Sequence, residues 1–239
     1  MRSARHCLLR LGAAAAAAAT AAAAAAAAAS PTAPEQVHLT LHPDPDMLVV
    51  TWHSREAAAT SSTVQYGAER SRLNGTARGG PGSALVYVVD TCPENSTRAS
   101  HFVAFPAPRH RDTYYRVSGD GGASWSAVFG PTRAPAPLAD GSLTVSLFGD
   151  LGVETAPAPN AVAALVNDTR RGAAGHQLIV HFGDTAYNMN DECGAKGDRF
   201  LNAAQEYAAI TPVAWGNGNH ARIINNIPPT THHQTRPPH

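Results

Sequence analysis

Hydrophobic and polar residues alternate along the first half of the chain and change rhythm in the second. Val37-His38-Leu39-Thr40-Leu41 makes every second residue apolar, the two-residue period of a half-buried strand. Pro43-Asp44-Pro45-Asp46 supplies turn chemistry, and Met47-Leu48-Val49-Val50-Thr51-Trp52 follows as a strand rich in β-branched and aromatic residues. Further strands are predicted over 63–67, 84–89, 101–105, 114–117 and 124–129, with Gly119-Asp120-Gly121-Gly122 turning between the last two. Short strands divided by turns predict an antiparallel β-sandwich with Trp52 and Tyr115 in its core. Arg133-Ala134-Pro135-Ala136-Pro137 reads as a stiff, extended linker. Beyond it, 143–148 is a nearly continuous apolar strand, 160–170 a helix with Val162, Leu165 and Val166 on one face, and 177–182 a second strand. A helix over 199–210 and a strand over 212–215 complete the alternation, which predicts a parallel α/β sheet. Residues 221–239 lose all periodicity and read as an irregular tail.

Composition adds a compartment. Arg2, Arg5 and Arg10 precede an apolar stretch that continues as alanine from 13 to 29, broken only by Thr20. Ala27-Ala28-Ala29 before Ser30 satisfies the small-residue cleavage rule, so residues 1–29 are expected to be a secretory signal and the chain to be extracellular. An organellar transit peptide and a low-complexity alanine tract are the competing readings. Alanine is only weakly apolar and no other window approaches a membrane span, so stable membrane insertion is not expected. Asn74-Gly75-Thr76, Asn95-Ser96-Thr97 and Asn167-Asp168-Thr169 are glycosylation sequons, in keeping with export. Beyond the signal the cysteines are Cys92 and Cys193, for which a bridge, two free thiols and bridges to other sequence are all open. The 18 basic and 18 acidic residues of the 239 cancel, which gives no electrostatic reason to expect nucleic acid. Lys196 is the only lysine, a bias that looks like GC-rich coding.

The chemistry stands at the strand ends, where open parallel sheets bind ligands. The first α/β strand ends Phe148-Gly149-Asp150-Leu151-Gly152, the second Phe182-Gly183-Asp184-Thr185-Ala186-Tyr187, the third Gly216-Asn217-Gly218-Asn219-His220. Two carboxylates, a phenol, an amide and an imidazole thus converge on one edge, all donors for hard or borderline cations. Taken singly, Asp150 and Asp184 read equally well as turn or helix-capping residues. His181 reads as structural; Asp191, Glu192 and Asp198 read as solvated loop charges; the sandwich histidines show no ligand spacing.

The ordered set Gly-Asp, Gly-Asp-x-x-Tyr, Gly-Asn-His resembles the metallophosphoesterase superfamily, and the tyrosine narrows the likeness to the purple acid phosphatases. The preceding sandwich resembles the fibronectin type III-like amino-terminal domain of their larger members. The resemblance implies a β + α/β protein: a signal over 1–29, a fibronectin III-like domain over 30–135, a partial metallophosphoesterase domain over 140–220 and a tail over 221–239. It implies Fe(III) beside a divalent Zn, Fe or Mn, and hydrolysis of a phosphate monoester at acid pH. Asp150 would be a terminal ligand of the iron, Asp184 the bridge, Tyr187 the iron phenolate and Asn219 the amide ligand of the divalent ion. His220 would stand beside the phosphate and leaving group as the catalytic imidazole. The family's later Val-x-x-His and Gly-His-x-His motifs do not occur, and Ala221 replaces the acidic residue after Asn-His. The expectation is therefore a weak or inactive phosphatase that looks truncated or frameshifted. Another metallophosphoesterase, such as a phosphodiesterase, and a non-catalytic secreted binding module are the alternatives. Oligomeric state is left open.

Overall fold

The computed structural model describes residues 33–55, 61–89, 96–154, 158–216 and 218. Eight strands build the first half: β1 Glu35–Leu41, β2 Met47–Ser54, β3 Thr63–Gly67, β4 Gly75–Arg78, β5 Ala84–Val89, β6 Ser96–Pro106, β7 Thr113–Ser118 and β8 Phe129–Thr132. They form two four-stranded sheets, ordered β1-β2-β6-β5 and β4-β3-β7-β8, with every neighbouring pair antiparallel. Strict alternation of burial along β2 carries Leu48, Val50 and Trp52 into the core, where Val37, Leu39, Val64, Phe105, Tyr115 and Val117 meet them. Trp52 and Tyr115 are fully buried, as the sequence predicts.

Two strand boundaries differ from the sequence pattern. Gly75–Arg78 pairs with β3 although Gly-Thr-Ala-Arg carries little β signature; it is an outer strand held by that pairing and by Ala77 against the sandwich core. Most of the expected strand at 124–129 is irregular. Ser126 binds Val117 through its backbone N–H and through its hydroxyl, and ladder pairing resumes only at Phe129.

In the second half β9 Val145–Phe148, α1 Ala158–Arg170, β10 Leu178–His181, α2 Ala195–Ala208 and β11 Val213–Trp215 alternate as expected. The sheet is parallel with order β11-β10-β9, and His181 lies between Phe148 and Trp215 in register. Among the described residues no helix is long and apolar enough to cross a membrane. Helix α2 begins four residues before the apolar period becomes legible. Gly194 in the left-handed region starts it, and the added turn Ala195-Lys196-Gly197-Asp198 carries Asp198 to the sandwich.

That reach overturns the reading of Asp198 as a solvated loop charge. Its Oδ2 lies 2.8 Å from Arg98 of β6, and its Oδ1 accepts a 2.8 Å hydrogen bond from Gln36 of β1; both charged side chains are largely buried. Further along α2, Gln205 accepts from the Val37 N–H at 2.7 Å. Past its end, Tyr115 donates to the Ala209 carbonyl and Thr132 to the Ile210 carbonyl, each at 2.7 Å. The proline-rich segment between the halves is extended but pinned: Ala134 N–H donates to Ala107, and Gln177 donates to the Ala136 carbonyl.

Candidate metal centre

Each donor is placed by the strand before it. The backbone of β9 leaves the sheet at Phe148, and Asp150 follows with φ of 54°, a left-handed conformation unusual for a residue with a side chain. Gly183 makes the corresponding turn after β10 with φ of 87°. A Cβ there would stand 3.8 Å from the Asp150 Oδ2, so the bare glycine leaves the space beside that carboxylate open. Asp184 is buried, 6 % exposed. Gly218 brings the backbone after β11 against it so closely that a Cβ would collide with the Asp184 amide nitrogen and Oδ1.

The two strand ends are tied together. The Gly152 N–H donates to the Thr185 carbonyl at 2.9 Å, and the Tyr187 hydroxyl donates to the Asp150 Oδ1 at 3.0 Å. Two of the three sequence-predicted oxygen donors among the described residues are thus in direct contact, and the third, Asp184, stands three residues before the phenol. Desolvation, then the hydrogen bond to Asp150 and the negative charges of Asp150 and Asp184, hold the Tyr187 phenol above its ordinary value. It is a neutral hydrogen-bond donor in this setting.

Lys196 anchors the segment that carries Tyr187. Its ammonium donates to the Tyr187 carbonyl at 3.1 Å and to Asp191 at 3.0 Å, with Glu154 3.5 Å away. The signal in the sequence was its being the lone lysine of an arginine-rich chain. Asp191 and Glu192 are accordingly paired, the latter with Arg199 at 2.8 Å, and are not simply solvated. A depression of about 180 Å³ between Gly152, Val153, Glu154, Tyr187 and Lys196 opens beside the phenol.

His181 is structural, as expected. It is fully buried on β10, its ring 4.7 Å from Phe148, 5.4 Å from Trp215 and 5.9 Å from Phe200, and burial lowers it to about 4. With its pKa held down by burial, the imidazole is a neutral wedge under the site. Cys193, beside the Asp191–Glu192 pair, is disulfide-bonded, which closes the alternative of a free thiol there. Among the described residues no cluster of three or more His, Cys, Asp or Glu is grouped to hold a metal. The donor set Asp150, Asp184 and Tyr187 is all oxygen, one of its members a phenol, and fits a hard, highly charged cation. Asn219 and His220 lie outside the described residues.

Residues 34–132 match the family model of the purple acid phosphatase N-terminal domain. The chain is similar to acid phosphatase type 7 of Danio rerio, 31 % identical over 194 residues, covering 81 % of this chain and 41 % of the relative. It is similar to acid phosphatase type 7 of Homo sapiens, 32 % identical over 200 residues with the same coverages. It therefore spans about two fifths of the length of these relatives. The fold matches that of a purple acid phosphatase from yellow lupin (Lupinus luteus) seeds with a TM-score of 0.60 at 20 % identity, over 80 % of this chain and 36 % of that one.

Proposed function

We propose, on the premise that residues 34–132 are a purple acid phosphatase N-terminal domain, that the chain carries the amino-terminal share of a metal-dependent acid phosphatase acting on phosphate monoesters. The observation that carries the reading is the 3.0 Å contact between Tyr187 and Asp150 at the carboxyl edge of a parallel sheet, with Asp184 at the adjoining turn. Asp150, Asp184 and Tyr187 would hold Fe(III). Asp184 would be shared with a divalent Zn, Fe or Mn, toward which Asn219 would turn its amide oxygen. Bound cations supply Lewis acidity toward the phosphoryl oxygens. The chain's own part would be to hold three oxygen donors on rigid strand ends, to keep the proton on the Tyr187 phenol, donated to the Asp150 carboxylate, until metal arrives, and to place His220 beside the leaving oxygen as a proton donor. Export through the 1–29 signal belongs to the same reading, since it delivers the protein to an oxidising compartment where a Cys193 bridge persists.

Titration of the purified chain with ferric ion and then zinc tests the assignment. A visible phenolate-to-iron band that Tyr187→Phe removes, with the far-ultraviolet circular dichroism unchanged, supports it. Hydrolysis of a chromogenic phosphomonoester at acid pH that Asp184→Asn abolishes extends it to catalysis. Two bound metals without colour would assign the site to a different metallophosphoesterase chemistry. No metal uptake at all would leave a non-catalytic module built on the sandwich.

A further inference from the structure

The fold treats two of the sequons differently. Asn74 stands exposed in the irregular stretch between β3 and β4, and Thr76, two residues on, faces solvent from β4 opposite Gln65. Amide and hydroxyl of this sequon are therefore reachable together, with Gly75 between them opening β4 in register with Tyr66. Asn167 is exposed as well, but it lies within α1. Residues two apart on a helix do not share a face. Thr169 is accordingly 4 % exposed, its hydroxyl 2.8 Å from the His176 Nε2 and 3.3 Å from the Thr211 hydroxyl. An enzyme that must read the asparagine amide and the threonine hydroxyl at once finds them on opposite sides of α1 and side by side at β4.

We propose that Asn74 is an N-glycosylation site of this chain and that its occupancy exceeds that of Asn167; the proposal rests on the secretory reading of residues 1–29. The reaction needs an oligosaccharide carried on a lipid pyrophosphate. The Asn74 Nδ2 attacks the sugar C1, the N–C1 bond forms, the C1–O bond to pyrophosphate breaks, the nitrogen gives up one proton and the lipid pyrophosphate leaves. The site also has a structural use. β4 is the outer strand of its sheet, and no strand covers its far edge among the described residues. A glycan rooted one residue before that strand obstructs the addition of a foreign strand to the open edge.

The test is expression of the full chain with its own leader in a secreting animal cell line. The product is deglycosylated by an amidase in heavy-oxygen water, and each asparagine is read by peptide mass spectrometry. The expected result is heavy aspartate at position 74 in most molecules and a lower fraction at 167. Thr76→Ala, an exposed change on an edge strand, abolishes labelling at 74 and leaves the leader-cleaved chain folded. A chain with its leader removed but Asn74 unlabelled overturns the proposal alone, as does occupancy at 167 equal to or above that at 74. A chain that stays in the cytosol with Met1 intact overturns the proposal and the secretory reading together.

Discussion

Asp198→Asn isolates the charge that locks α2 to the sandwich. Asparagine keeps the size of the side chain and a carbonyl oxygen for the Gln36 hydrogen bond of 2.8 Å, so the perturbation is the loss of one negative charge. The Arg98 guanidinium, 2.8 Å away with its side chain 10 % exposed, is then left with no carboxylate at that contact. Arg55, 3.9 Å away and more than half exposed, adds little. Breaking one side of a buried pair costs about 3–5 kcal/mol. Because both partners keep a little exposure, the lower end applies, about 3 kcal/mol, out of a total of about 5–15 kcal/mol for a typical protein. Urea unfolding of both chains, followed by tryptophan fluorescence, measures the difference at constant slope. Arg98→Met and the double variant complete the cycle: the double variant should recover a large part of the loss, since a pair of uncharged side chains leaves no buried charge. A single variant within about 0.5 kcal/mol of the parent, the range of ordinary surface substitutions, would falsify the claim that this contact holds the halves together.

Tyr115→Phe removes the 2.7 Å bond to the Ala209 carbonyl and should cost about 1–2 kcal/mol by the same unfolding measurement. Burial raises the Tyr115 phenol well above its ordinary value. Its stabilising contribution is therefore complete below about pH 10 and lost above it, and the phenylalanine chain should show a shallower alkaline decline. Burial lowers His53 to about 3 and His101 to about 4. The unfolded chain binds those protons first, so stability should fall as pH drops from about 6.5 toward 3, and His53→Phe should flatten the slope in a pH series of urea midpoints. Gly218→Ala should drive a methyl group into Asp184 and weaken ferric binding by at least the roughly 10–100-fold typical of a displaced ligand shell, read by loss of the visible band on titration; unchanged affinity would mean that Asp184 is not a ligand.

The parts of the fold that were legible in the sequence are those written in local periods. β2 alternates in burial as its residues alternate in polarity, and β10 is apolar as the central strand of a parallel ladder, with Ile179 fully buried, while its outer neighbour β9 leaves Val145 and Leu147 exposed. The turn signatures Gly-Asp marked Asp150 and Asp184 because only a sharp reversal puts a carboxylate at the end of a buried strand. What was hidden depends on partners far along the chain. Asp198 sits 162 positions from Gln36, and nothing within its own helix distinguishes it from a solvated charge. β4 exists by pairing with β3, since its own residues have little strand preference. The converse error, at 124–129, came from apolar and aromatic residues that serve a turn, with Trp125 lying under the Arg116 guanidinium at 4.5 Å. Lys196 announced itself only by rarity, because its role is to hold a backbone carbonyl, which leaves no mark on spacing.

The docking of α2 onto β1 and β6 has a consequence for the order of events during synthesis. The last sandwich strand ends at Thr132, and α2 begins at Ala195. About 60 residues separate them, which at about 5–20 residues per second is a delay of several seconds. A β-sandwich completes its folding within about milliseconds to seconds. Gln36 and Arg98, which bond α2, and Tyr115 and Thr132, which bond the two residues just past its end, are therefore in place before those partners leave the ribosome. The amino-terminal sheet acts as a mould: it receives α2 in one register, and through α2 it fixes the segment on which Tyr187 is carried.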